Sequence, residues 1–243
     1  MVEERAEKIL APFESENVSE LHLQQEQGDF SIELDHVVFE DNMVIFDYTM
    51  KAPNAAQYVD VHPELPKKVD EMGIAVEEHP EMVRWVGYII VEDGTFSQED
   101  VGKEIEIPFV SFEYGDGSDI DMVFHVTIEN VLSTEMIDLG REFSLEEGTV
   151  MVKSIEVSIF YTKVYFEDMT DETTFITDLY SWEIMDESGK TLPWLGGRDA
   201  EYFYTAMPKD CSEIGLTLVK YRGGKGNLSY DKIGEMVKIP IIK

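Results

Sequence analysis

Apolar and polar residues alternate along most of this chain, at the period of two expected of strands rather than the 3.6 of helices. The stretch Gly28 to Tyr48, GDFSIELDHVVFEDNMVIFDY, places Phe30, Ile32 and Leu34 on one parity and Val37 and Phe39 on the other. Successive strand side chains point to opposite faces, so this parity switch predicts a bulge or a change of sheet within one long strand. Glu40-Asp41-Asn42 then supplies hairpin-turn residues, and Met43 to Met50 reads as the returning strand.

A second stretch, GTVMVKSIEVSIFYTKVYFED (Gly148 to Asp168), matches the first without a gap at a spacing of 148 − 28 = 120 residues. Gly28 meets Gly148, Phe30 meets Val150, Ile32 meets Val152, Val37 meets Val157 and Phe39 meets Ile159. Val44 meets Val164 and Phe46 meets Phe166. Internal duplication accounts for this, although any two period-2 hairpins agree at several apolar positions.

Further strands are predicted at Arg84–Val91, Ile105–Phe112, Met122–Ile128, Asp178–Met185, Leu192–Leu195, Glu201–Tyr204, Gly215–Tyr221 and Met236–Ile242. Turn signals recur every 8–12 residues or so, as in an antiparallel sandwich of about seven strands. Helix is expected only at Ala6–Leu10 and in a short segment, Pro63–Met72. Prolines 53, 63, 66 and 80 make residues 52–82 look like an insertion. The fold expected is all-β: two tandem immunoglobulin-like antiparallel β-sandwich domains, 1–139 and 140–243, with little helix.

Charge narrows the partners. The 243 residues carry 19 basic and 51 acidic side chains, net −32. Residues 1–140 hold 33 of those acids and 7 of the bases, 7 − 33 = −26. Such a surface repels phosphate backbones and anionic membranes, so nucleic acid is not an expected partner. Cations, basic peptides and solvent suit it, and acidic side chains also maintain solubility. The one cysteine, Cys211, permits no intrachain disulfide and reads as a structural thiol. No run of about 18 apolar residues occurs, and the acidic start MVEERAEKIL lacks the basic opening of a signal peptide. Export or anchoring segments would then lie outside this chain, and a cytoplasmic location stays open.

Candidate chemistry is sparse. In EYGDGSDIDM, Asp116, Ser118, Asp119 and Asp121 bring together the hard oxygens calcium takes, so Asp116, Asp119 and Asp121 are the candidate metal ligands. A plain hairpin turn explains the same residues, and Asp168/Asp171/Glu172 is a weaker group of the same kind. His22, His36, His62, His79 and His125 have no HExxH spacing, and GxSxG, P-loop and GxGxxG motifs do not occur. His36 and His125 read as structural, and His62 and His79 as exposed. Lys220, Arg222 and Lys225 form a basic hairpin tip. Trp194, Tyr202 and Tyr204 are the aromatic candidates for partner contact, with core packing as the alternative.

The pattern IELDHVVFEDNMVIFDYTM resembles the first extracytoplasmic domain of unknown function in Gram-positive membrane-anchored anti-sigma-factor-like proteins. The region from Phe143 on, including SWEIMDESGKTLPWLGG, resembles the immunoglobulin-like domain that follows it there. The resemblance implies a non-catalytic sensory or scaffolding region outside the membrane, binding a protein or peptide partner, with no cofactor and no catalytic residues. The cytoplasmic zinc-linked module and the transmembrane helix of that family are not in this sequence. The rival expectation is a surface adhesion or cation-binding module, and a carboxylate hydrolase stands behind both.

Overall fold

The computed structural model describes residues 2–16, 18–53, 55, 61–110, 121–144, 149–168, 180–198, 201–208, 211–222 and 229–240. They form two compact units, Met1–Ser133 and Thr134–Lys243, each built of antiparallel sheets with little helix.

The first unit opens with helix α1 (Val2–Leu10) and a single 3₁₀ turn, Ala11–Glu14. Nine strands follow: β1 (Glu20–Gln27), β2 (Phe30–Glu40), β3 (Met43–Lys51), β4 (His62–Pro63), β5 (Lys68–His79), β6 (Met82–Val91), β7 (Glu104–Val110), β8 (Asp121–Thr127) and β9 (Val131–Leu132). One sheet has the order β1-β2-β3-β6-β5, with β9 parallel to the end of β2; the other is β4-β7-β8. Phe109 of β7 receives the rings of Phe46 and Tyr48 edge-on at 6.4 and 5.0 Å, so the two sheets enclose one core. Gly28 takes a positive φ of 64° in the tight turn from β1 to β2, a conformation glycine adopts without steric cost.

The second unit contributes β10 (Glu135–Ser144), β11 (Thr149–Val157), β12 (Tyr161–Asp168), β13 (Tyr180–Met185), β14 (Trp194–Arg198), β15 (Glu201–Thr205), β16 (Glu213–Arg222) and β17 (Ser229–Pro240). Its sheets are β10-β11-β12-β15-β14 and β13-β16-β17. Strand for strand, this is the order of β1 to β8 in the first unit. Trp182 on β13 anchors its core, 5.1 Å from Phe143 and 6.4 Å from Phe166 between ring centroids. The expected border at 139/140 would cut β10 in half; the units divide ahead of that strand.

The parity switches are bulges. In β2, Leu34 pairs with Tyr48 and His36 with Asp47, which leaves Asp35 as the extra residue. In β11, Val152 pairs with Phe166 and Ser154 with Tyr165, which leaves Lys153. The bulges lie 153 − 35 = 118 residues apart. The two-residue turns that follow, 41–42 and 159–160, are also separated by 159 − 41 = 118. Val37 therefore corresponds to Ile155 rather than to Val157, two positions from the spacing expected. Alternation of period two looks the same after any even shift, and only backbone features fix the register.

Pro63–Met72 is not a helix. Pro63 ends β4 and Lys68 begins β5, which pairs with β6 across the length of both strands. Residues 52–82 thus supply one strand to each sheet and are not an insertion. A helix-forming run such as PELPKKVDEM carries weak intrinsic preference, which the hydrogen bonds of a sheet override.

Candidate functional site: an open hollow in the first sandwich

Directly opposed residues of paired strands share a face, so the pairs Glu71–Ile89, Gly73–Gly87 and Ala75–Trp85 place Glu71, Gly73 and Ala75 of β5 on the side of the core. Five strands of one sheet stand over only three of the other, and β4 is two residues long. Glu71 and Gly73 consequently point inward yet remain exposed. The result is an open hollow of about 330 Å³ walled by Tyr48, Val61, Pro63, Trp85 and Ile89, with His62 and Glu71 at its polar side. Gly73 and Gly87 keep it empty. A methyl on Gly73 would touch the Trp85 ring at 3.6 Å, and one on Gly87 would meet Tyr48 at 3.8 Å. Both are ordinary contact distances, so it is the missing side chains beyond Cβ that leave the space.

Polar groups surround this hollow. Tyr48 donates to the Val61 carbonyl at 3.1 Å, and burial followed by the negative charge of Glu71 pushes its hydroxyl pKa upward. Lys68 Nζ bridges Glu64 at 2.8 Å and Glu71 at 3.1 Å, while His62 Nε2 lies 3.0 Å from Glu64 and 3.7 Å from Glu71. Burial works to raise the Glu64 pKa, but hydrogen bonds from Lys68 and His62 outweigh it and hold the carboxyl low. The Trp85 Nε1 hydrogen is enclosed without an acceptor among the described residues.

The opposite face of the same sheet carries a charged row. Asp47, with no exposed surface, accepts from Arg84 Nε and Nη2 at 2.8 and 2.7 Å, and its other neighbour is His36 Nδ1 at 2.9 Å. Phe13 of the N-terminal segment packs on the His36 ring at 5.1 Å. Beside this row, the bulge residue Asp35 lies 3.3 Å from Nδ1 of His22, which holds a positive φ of 50°. His22, Glu33 and Asp35 each offer a ligand atom within 4.8 Å of the others.

No family model matches this sequence, and no curated protein does. Among solved structures, the chain is similar to the crystal structure of the conserved domain protein from Bacillus anthracis, with a TM-score of 0.61. That match covers 93% of this chain and 92% of the other at 9% identity. At such identity the likeness concerns the fold.

Of the residues expected to hold a metal, Asp116 and Asp119 lie outside the described residues, as do Ser118, Asp171 and Glu172. Asp121 begins β8, exposed, with its backbone N–H donating to the Gln27 side chain at 3.1 Å. Of the three aromatics expected at a partner surface, Trp194 stands opposite Tyr204 across β14 and β15, but only Trp194 is exposed. Trp194 is 53% exposed at the start of β14, the last strand in its sheet order. Tyr202 and Tyr204 are buried: Tyr202 packs on Phe166 at 5.2 Å, and the Tyr204 hydroxyl donates to the Trp182 carbonyl. Their strand, β15, runs between β12 and β14, so alternate side chains enter the core. They form the second unit's core and cannot meet a partner.

Cys211 is buried with its thiol donating to the Glu213 carbonyl at 3.1 Å. His62, expected to be exposed, is part-buried beside the hollow; His79 and His125 are exposed. Lys225 lies outside the described residues. No helix among the described residues is long and apolar enough to cross a membrane. Trp85 was legible in the sequence only as a strand residue; Gly73 and Gly87 are the signal that marks the hollow.

Proposed function

We propose that this chain is the non-catalytic binding region of a membrane-anchored regulator of the anti-sigma-factor-like kind, displayed on the extracytoplasmic face. The observation that carries the binding role is the hollow beside β5, which has aromatic and aliphatic walls with His62 and Glu71 at its polar side. Pockets of roughly 300–1,000 Å³ with apolar walls and few polar groups are the usual form of a ligand site.

Each unit also supports an immunoglobulin-like assignment. With β1 and β10 set aside, four strands in the order β2-β3-β6-β5 or β11-β12-β15-β14 face three, which is the constant-type immunoglobulin order. Trp182 is buried on the third strand of that order, the position of the immunoglobulin core tryptophan. That fold serves recognition in many settings, and the functional step from it is analogy. Surface labelling tests the location: an antibody against the chain should bind intact cells of the source organism. Labelling that appears only after lysis would overturn the extracytoplasmic reading.

A cation-binding module is the second reading, and the His22–Glu33–Asp35 group favours it. A ligand bound only by the folded state raises the melting temperature, so titration with millimolar calcium or zinc distinguishes the two.

A further inference from the structure

We infer that the hollow beside β5 receives an extended basic peptide, which adds as a strand along β5 and inserts one arginine or lysine side chain next to Trp85 and Glu71. The inference rests on the binding role proposed above and names the class of partner. Three observations converge on it. First, β5 is the last strand in the order of its sheet among the described residues; Val69 and Asp70 already have partners, and over residues 71–79 such a strand can pair with a further chain. Second, the positions of β5 that face inward, Glu71 and Gly73, open directly into the hollow, so a neighbouring strand with period-two side chains would present every second one to it. Third, the charge is complementary. β5 carries Glu71, Glu77 and Glu78 within a chain of net charge −32.

Within the hollow, aromatic rings and a carboxylate form the ordinary surroundings of a bound cation. Lys68 lies between Glu64 and Glu71, and His62 also approaches both carboxylates, so a guest cation at Glu71 would compete with Lys68 and His62. Gly73 leaves room beside the Trp85 ring, where an added Cβ would sit at an ordinary contact distance of 3.6 Å and a branched side chain such as leucine would fill the space the guest needs.

The test uses the whole chain labelled with ¹⁵N and an acetylated, amidated heptapeptide of alternating valine and arginine. Trp85 is followed through its indole N–H resonance, assigned by loss in W85F. A saturable shift of that resonance is expected, together with an affinity that falls as salt rises. Gly73→Leu should abolish the shift while the dispersed spectrum of the fold persists. Glu71→Gln should weaken binding about tenfold, a change of about 1.4 kcal/mol. Lys68→Met, which removes one competing cation, should tighten it. No shift at millimolar peptide, or one unaffected by Gly73→Leu, would overturn the inference. An equal response to the peptide with glutamate in place of arginine would overturn the charge argument, and equal affinity for arginine amide would overturn strand addition. Because purified chain is titrated, a negative result removes the ligand class and leaves the cellular location to be decided by surface labelling.

Discussion

Asp47 keeps its charge without touching water. Burial alone would raise its pKa, but the hydrogen bonds from Arg84 and His36 outweigh that and hold the carboxyl below its usual range. A depressed carboxylate contributes stability that is complete above its unfolded pKa and is lost as pH falls through the lower, folded value. Removing Arg84 reverses the balance, because burial then acts with only His36 to oppose it. Arg84→Ala should cost about 3 kcal/mol at neutral pH, the usual scale for leaving one buried charge of a pair behind. The deficit should shrink as the pH is lowered toward about 4, since a carboxyl that protonates no longer needs its partner. Urea melts of both proteins across that range would measure it, and a deficit independent of pH would show that Arg84 acts by packing. Neighbouring Asp35 behaves oppositely: burial, then the charges of Asp47 and Glu33, raise its pKa. None of this was legible in the sequence, where Asp47 and Arg84 stand 37 residues apart and only strand pairing brings them together.

Among elements, sequence patterning located the strands that bury a face and missed those at the edges. β2 alternates buried with half-buried positions along most of its length, and its parity switch, expected to be a bulge or a change of sheet, is a bulge. β1 has no fully buried position and β5 has one, Ile74, so neither shows the apolar alternation that marks a strand. The repeat was visible for the same physical reason that its register was not. Alternation reports a face, whereas the bulges at Asp35 and Lys153 fix the position along the strand. The expected helix at the N-terminus is present, and the segment it begins packs on the outer face of the first sheet. There Phe13 is 4% exposed and stacks on His36. Phe13→Ala should therefore cost about 3 kcal/mol, as for other buried aromatic truncations. A chemical melt shifted by less than about 0.5 kcal/mol would instead mean that the segment is only loosely held.

For the molecule as a whole, the two cores share no residue. One is drawn from positions between Phe30 and Val131, the other from positions between Phe143 and Ile239. Each of these units has the strand order, and each the enclosed aromatic centre, of a domain able to fold by itself. Substitutions in one core should then leave the stability of the other unchanged, because distant sites without shared partners add independently. Phe109→Ala, in the first core, probes the first unit. Tyr204→Phe probes the second, where loss of the hydrogen bond to the Trp182 carbonyl should cost about 1 kcal/mol. Differential scanning calorimetry of the whole chain is expected to resolve two transitions, with each substitution lowering only one. A single transition displaced by both substitutions would mean that the units unfold together, and binding at the β5 hollow would then bear on the stability of the entire chain rather than of its first half.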